Sequence, residues 1–152
     1  MSIRVSELDP NPFITAASAY RTRFGWSCGA QDTEVWIRLA NGSGAVAVDQ
    51  PLAGKLRRQL RADGISGPIV DCPGRPGYWV FLVSGPRLLE PALRVALSAH
   101  GSTYRGGRRL IDLPPTQSIS GELCWVDPPE AGVPFPALAE VLRALDSAHP
   151  LR

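Results

Sequence analysis

The stretch Tyr104–Trp125, YRGGRRLIDLPPTQSISGELCW, decides how this 152-residue chain is read. Gly106 and Gly107 mark a tight turn, Arg109–Leu113 is an extended apolar run, Pro114–Pro115 ends it, and Glu122–Val126 is a further strand. The pattern is strand, turn, strand, loop, strand, with Arg105, Arg108 and Arg109 gathered about the turn. Such a segment suits the wall of a groove or a working site. Side chains alternate along extended chain, so at most one of Arg108 and Arg109 is expected to point into any one groove.

Before this stretch, PRLLEPALRVALSAHG reads as a helix ending at Gly101, with Pro91 either kinking it or marking its start. PIVDCPGRPGYWVFLVSG gives two extended runs around a Pro/Gly loop, the second being Tyr78–Val83. In QPLAGKLRRQLRADG, Leu52, Leu56 and Leu60 form the core face of a helix, while Lys55, Arg57, Arg58 and Arg61 spread over the remaining surface. TEVWIRLANGSGAVAVD alternates Val35, Ile37 and Leu39, turns at Asn41–Gly44 and returns through Val46 and Val48, which predicts a hairpin. NPFITAASAYRTRFG predicts a first helix with Asn11 as N-cap, Pro12 at its first position and Gly25 as its stop. Its buried stripe is Phe13, Ala16, Ala17, Tyr20 and Phe24. Near the other end, VPFPALAEVLRALDSAH is an amphipathic helix with Leu138, Val141, Leu142 and Leu145 inward.

This order of elements predicts an α+β fold: a mostly antiparallel mixed sheet of about five to seven strands, with helices packed against it. The strands around Val46, Val80 and Ile111 are expected in one sheet. No internal repeat or long linker divides the chain, so residues 1–152 read as a single domain. With 44% hydrophobic and 20% charged residues, the composition is that of a globular domain with a substantial core. No apolar run approaches the roughly 18 residues of a membrane span, and the first residues lack the order of a signal peptide, so no membrane partner and a cytoplasmic location are expected. Cys28, Cys72 and Cys124 are odd in number and widely spaced, and the chain has 2 histidines, a pattern that argues against a disulfide framework or a structural zinc site. The net charge of +2 is too small to imply nucleic-acid binding by itself, although it can be concentrated locally. Lys55 is the only lysine among 16 basic residues.

The motif order resembles the primase–polymerase (prim-pol) domain of the archaeo-eukaryotic primase superfamily, which implies an RRM-related core. The similar pieces are AASAYRTRFGW, VAVDQP, RPGYWVFL and, above all, YRGGRRLIDLPPTQSISGELCW. Family members transfer nucleotides with acids that hold divalent metal ions. Here Asp49 occupies the first acidic position, and Pro51 occupies the second. Trp79 stands where the family has a phosphate-contacting histidine, and Thr103 where it has a third acid. Asp49 is therefore the vestigial metal position, although it also reads as a helix N-cap ahead of Gln50–Pro51. Proline and tryptophan offer nothing to a metal ion.

The resemblance implies a non-catalytic prim-pol-like domain with a regulatory or accessory role, binding nucleic acid, a nucleotide or a protein partner. No cofactor is implied. The alternatives are an active nucleotidyltransferase with relocated ligands, using Asp71 or Asp112, and a pure protein-interaction module exploiting the Pro-rich DPPEAGVPFP surface. The nucleic-acid-binding candidates are Lys55, Arg57, Arg58, Arg61, Arg105, Arg108 and Arg109, which would form one phosphate-binding surface if both groups face one groove. Trp79 is the candidate for base stacking, with sheet packing as its other reading. The oligomeric state is left open.

Overall fold

The computed structural model describes residues 11–150. Helix α1 (Pro12–Phe24) starts as its sequence predicts: the Asn11 side-chain oxygen accepts from the backbone N–H groups of Phe13 at 2.8 Å and Ile14 at 3.2 Å. Gly25, at φ 68°, ends it. Phe13, Ala17 and Tyr20 are buried, while Ala16 and Phe24 lie at the edge of the same core. The remaining elements are β1 (Cys28–Gln31), β2 (Glu34–Arg38), β3 (Ser43–Asp49), α2 (Gln50–Ala62), β4 (Ile69–Cys72), β5 (Tyr78–Ser84) and α3 (Pro91–Ala99). Then come β6 (Thr103–Gly106), β7 (Leu110–Asp112), β8 (Gln117–Ser118), β9 (Gly121–Glu122), β10 (Cys124–Asp127) and α4 (Leu138–Ala148). Pro91 is the start of α3 rather than a kink within a longer helix.

The fold is α+β, and every strand pairing within its sheets is antiparallel. A five-stranded sheet runs in the order β10-β4-β5-β3-β6, and a three-stranded sheet in the order β1-β2-β7. The hairpin expected between β2 and β3 does not form. β2 pairs with β1 and β7, whereas β3 pairs with β5 and β6. The turn at Ala40–Ser43 passes the chain from one sheet to the other, so Val35, Ile37 and Leu39 meet Ala45 in a shared core, face to face instead of edge to edge. This arrangement buries the apolar side of both strands at once. Ile111 accordingly lies in the small sheet, not beside Val46 and Val80 as the sequence reading had it.

Gly106–Gly107 makes the same transfer between β6 and β7. The two crossings are bonded to each other, with the Arg108 N–H donating to Leu39 O at 2.7 Å and the Leu39 N–H to Arg109 O at 2.9 Å. A Cβ at Gly106 would overlap the Arg87 carbonyl, and one at Gly107 would stand 3.0 Å from Ala40 O. Close passage of backbones is therefore what requires this glycine pair.

The five-stranded sheet has a core on each face. On one side Val46, Val48, Ile69, Phe81 and Val83 pack with Leu56 and Leu60 of α2, Leu97 of α3, and Val141 and Leu145 of α4. On the other, Ala45, Val70, Val80 and Leu82 pack with α1 and the small sheet. Leu56 and Leu145 are completely buried, and truncating either to alanine should cost about 2–5 kcal/mol.

Candidate functional site

A groove of about 650 Å³ runs along edge strand β6, between it and α3. Arg87, Arg94, Arg105, Arg108 and Arg109 all line it, together with Ser102 and Tyr104, and no acidic residue does. Among the described residues, no carboxylate lies within ion-pair distance of any of the five arginines. Crowding like charges raises the energy of the free protein and creates a positive local field that suits an anionic ligand, although Asp112 lies near enough to Arg105 to offset part of it.

Local geometry explains how so many arginines converge. Arg108 adopts a left-handed backbone, φ 69°, and this breaks the period-two alternation. Both Arg108 and Arg109 consequently line the groove, contrary to the expectation that at most one would. Arg94 spends one donor on the Leu89 carbonyl at 3.2 Å. Tyr104 donates its hydroxyl to the Pro86 carbonyl at 2.5 Å, and burial raises its pKa. The Ser102 hydroxyl is buried and, among the described residues, has no hydrogen-bond partner. Arg87 and Arg94 escaped the sequence reading. Their signal is the segment PRLLEPALR, where two arginines bracket a single acid.

The second set of cations, on α2, is elsewhere. Arg57 makes a bidentate pair with Asp127, Nε to Oδ2 and Nη2 to Oδ1, each at 2.7 Å, and Arg61 joins at 3.1 Å. Asp127 belongs to β10, the opposite edge of the sheet from β6. Lys55 and Arg58 are exposed, and none of the four lines the groove. The one-groove expectation that joined the two arginine groups is thus corrected: Arg57 and Arg61 reach the β10 edge, whereas the Gly-Gly turn follows β6 at the opposite edge.

Trp79 is also outside the groove. It lies on β5, opposite Val48 and Asp71, half-buried against the helix-side core, with its Nε1 enclosed and without a hydrogen-bond partner among the described residues. Asp49 is exposed at the junction of β3 and α2, in the N-cap position but without a side-chain capping bond. Thr103 pairs with Ala47 on the edge strand. Among the described residues, no group of three or more His, Cys, Asp or Glu side chains is placed to hold a metal ion. Asp112 has its pKa raised, by burial first and then by Glu34, against the opposing pull of Arg105. Burial pushes the thiols of Cys28 and Cys72 up to about 11.

The fold and groove together define an α+β domain with a concentrated arginine surface. No family model matches the chain, and searches of curated proteins and of solved structures likewise found no match. Among the described residues, no helix is long and apolar enough to cross a membrane.

Proposed function

We propose that this chain is a cytoplasmic, non-catalytic accessory domain of prim-pol descent that holds the phosphate backbone of a nucleic-acid strand in the arginine groove. One observation carries the reading: five arginines line a single groove without an acid among them. Guanidinium groups give bidentate, charge-assisted contacts to phosphate. Because Tyr104 is tied to Pro86 and Trp79 lies elsewhere, base stacking plays no part. Binding is then independent of sequence, since phosphate contacts position a ligand without reading bases. A regulatory role beside a catalytic partner fits a domain with Pro51, Trp79 and Thr103 at the positions where the resembling family has functional groups.

The test is fluorescence anisotropy with a labelled oligonucleotide across a salt series. Five phosphate contacts would lose roughly a hundredfold in affinity between about 50 and 200 mM salt. Replacing Arg105 and Arg108 together with alanine should weaken all sequences alike and flatten that slope. Absence of binding at low salt would overturn the reading in favour of a protein-interaction module. Nucleotide incorporation with Mg²⁺ or Mn²⁺ that disappears in Asp49→Ala would replace it with an active nucleotidyltransferase.

A further inference from the structure

A second cavity, of about 550 Å³, lies at the β10 edge of the sheet, beneath the proline-rich segment 128–136. Phe24, Trp26 and Phe135 form its aromatic wall, with ring centroids 4.9 Å apart for Phe24–Trp26 and 5.8 Å for Trp26–Phe135. All three are only half-buried. The prolines at 128, 129, 134 and 136 also line the cavity, and their fixed φ angles hold its rim in shape before any ligand arrives. The volume is that of a small-molecule pocket, which typically combines an apolar lining with a few directed polar groups.

The polar side is Arg57, Arg61 and Asp127, together with the exposed Ser66 and Glu130, so the lining carries two arginines and two carboxylates and, among the described residues, only Asp127 is paired with the arginines. Both carboxylate oxygens of Asp127 are already engaged by guanidinium groups, and hydrogen bonding from Arg57 holds its pKa below the usual carboxylate value. Its capacity to attract a cation is therefore spent. Arg61 is in the opposite condition: its side chain is 60% exposed and it commits one nitrogen to Asp127, leaving further donors free at the mouth. Arg23 sits 5.3 Å over the Phe24 ring, so the nearest aromatic face already carries a cation. A β-bulge between Trp125 and Asp127 shifts the register at this point, a feature common where a strand must redirect a side chain.

We propose that this cavity is a binding site for a small planar aromatic anion, its ring system against Trp26 and Phe135 and its carboxylate, sulfonate or phosphate on Arg61. Arg57 is the positioning residue: by saturating Asp127 it leaves Arg61 available. The site is separate from the arginine groove and does not depend on its function.

The test uses 8-anilinonaphthalene-1-sulfonate as the aromatic anion and N-phenyl-1-naphthylamine as its uncharged counterpart, titrated against the full chain by probe fluorescence. The expected result is one saturable site for the anion, with the neutral probe roughly tenfold weaker or more, in line with a charge-assisted hydrogen bond. Arg61→Ala should lower anion affinity to that of the neutral probe while leaving the neutral probe unchanged. Ser66→Trp, which adds bulk from an exposed position on the lining, should exclude both. Thermal unfolding of each variant confirms a folded chain, and an Arg105→Ala/Arg108→Ala variant should bind both probes normally. Non-saturable or multiple-site binding, an Arg61→Ala variant that keeps the anion, or a folded Ser66→Trp variant that keeps either probe would each overturn the proposal.

Discussion

Trp125 donates its indole N–H to the Tyr20 hydroxyl at 3.0 Å, and that hydroxyl donates in turn to the Pro114 carbonyl at 2.6 Å. The relay joins α1, β10 and the Pro-Pro loop, and the Tyr20 and Trp125 rings meet edge to face at 6.0 Å. Burial raises the Tyr20 pKa, so the hydroxyl keeps its proton across the physiological range. Tyr20→Phe leaves a donor and an acceptor without partners, at a cost of about 1–3 kcal/mol. The expected outcome is a lower midpoint in chemical denaturation with unchanged far-UV circular dichroism. A wild-type midpoint would show that the relay contributes nothing to stability.

The Arg57–Asp127 pair predicts a pH dependence. Its side chains are 29% and 23% exposed, whereas Arg61 is 60% exposed and adds little. The Asp127 pKa is lowered in the fold, chiefly by its hydrogen bond from Arg57. Its stabilising contribution is therefore present above the unfolded carboxylate value and disappears as pH falls through the folded value. Asp127→Asn should cost about 1–2 kcal/mol at neutral pH, and the gap between variant and wild type should close in acid. Denaturation curves at several pH values measure both. A gap that stays constant with pH would remove the charge from the explanation.

Two glycines should respond to alanine with opposite signs. Gly106→Ala drives a methyl group into the Arg87 carbonyl, whose carbon would stand 2.6 Å away, and overpacking against backbone costs about 1–3 kcal/mol. Gly54 lies inside α2, where an added Cβ would meet only Arg58 Nη1 at 3.9 Å. Gly54→Ala should raise stability by roughly 0.5–1 kcal/mol through helix propensity. Thermal unfolding of the two variants beside wild type decides the matter, and equal shifts of the same sign would contradict the packing described at Gly106.

The cysteines differ in reactivity. Cys124 is exposed, whereas Cys28 and Cys72 are buried with thiols pushed up to about 11 by that burial. A thiol reagent at neutral pH should modify Cys124 rapidly and the other two only on unfolding. Mass spectrometry of the native and denatured protein counts the labels, and rapid native modification of Cys72 would contradict the sheet packing at Tyr78.

Much of the fold is legible in the sequence where local physics decides. Asn11–Pro12 announces a helix start because capping and fixed φ act within a few residues, Pro91 allows a start or a kink and the structure makes it the start, and Leu52, Leu56 and Leu60 announce a buried face through their spacing. Strand partnership is not local. The alternation of Val35, Ile37 and Leu39 reveals a half-buried strand, but it is silent on whether the chain beyond Asn41 folds back alongside or crosses to another sheet. The same holds for the site. Arg57 and Arg61 look like free cations until the fold brings Asp127 to them from the far end of the chain. The glycine pair advertised a turn, yet the left-handed residue is Arg108, and the glycines serve steric clearance.

The crossed backbones at Leu39 and Arg109 also bear on biosynthesis. A ribosome releases β1 and β2 early, whereas β7, which closes their sheet, is made only after two helices and four further strands of the large sheet's side of the molecule. During that interval β2 has a bare edge, and Val35, Ile37 and Leu39 lack the cover that Ile111 and Leu113 later provide. The nascent chain thus carries a sticky, half-paired ribbon from the release of Arg38 until the closing clasp at Leu110–Asp112 follows.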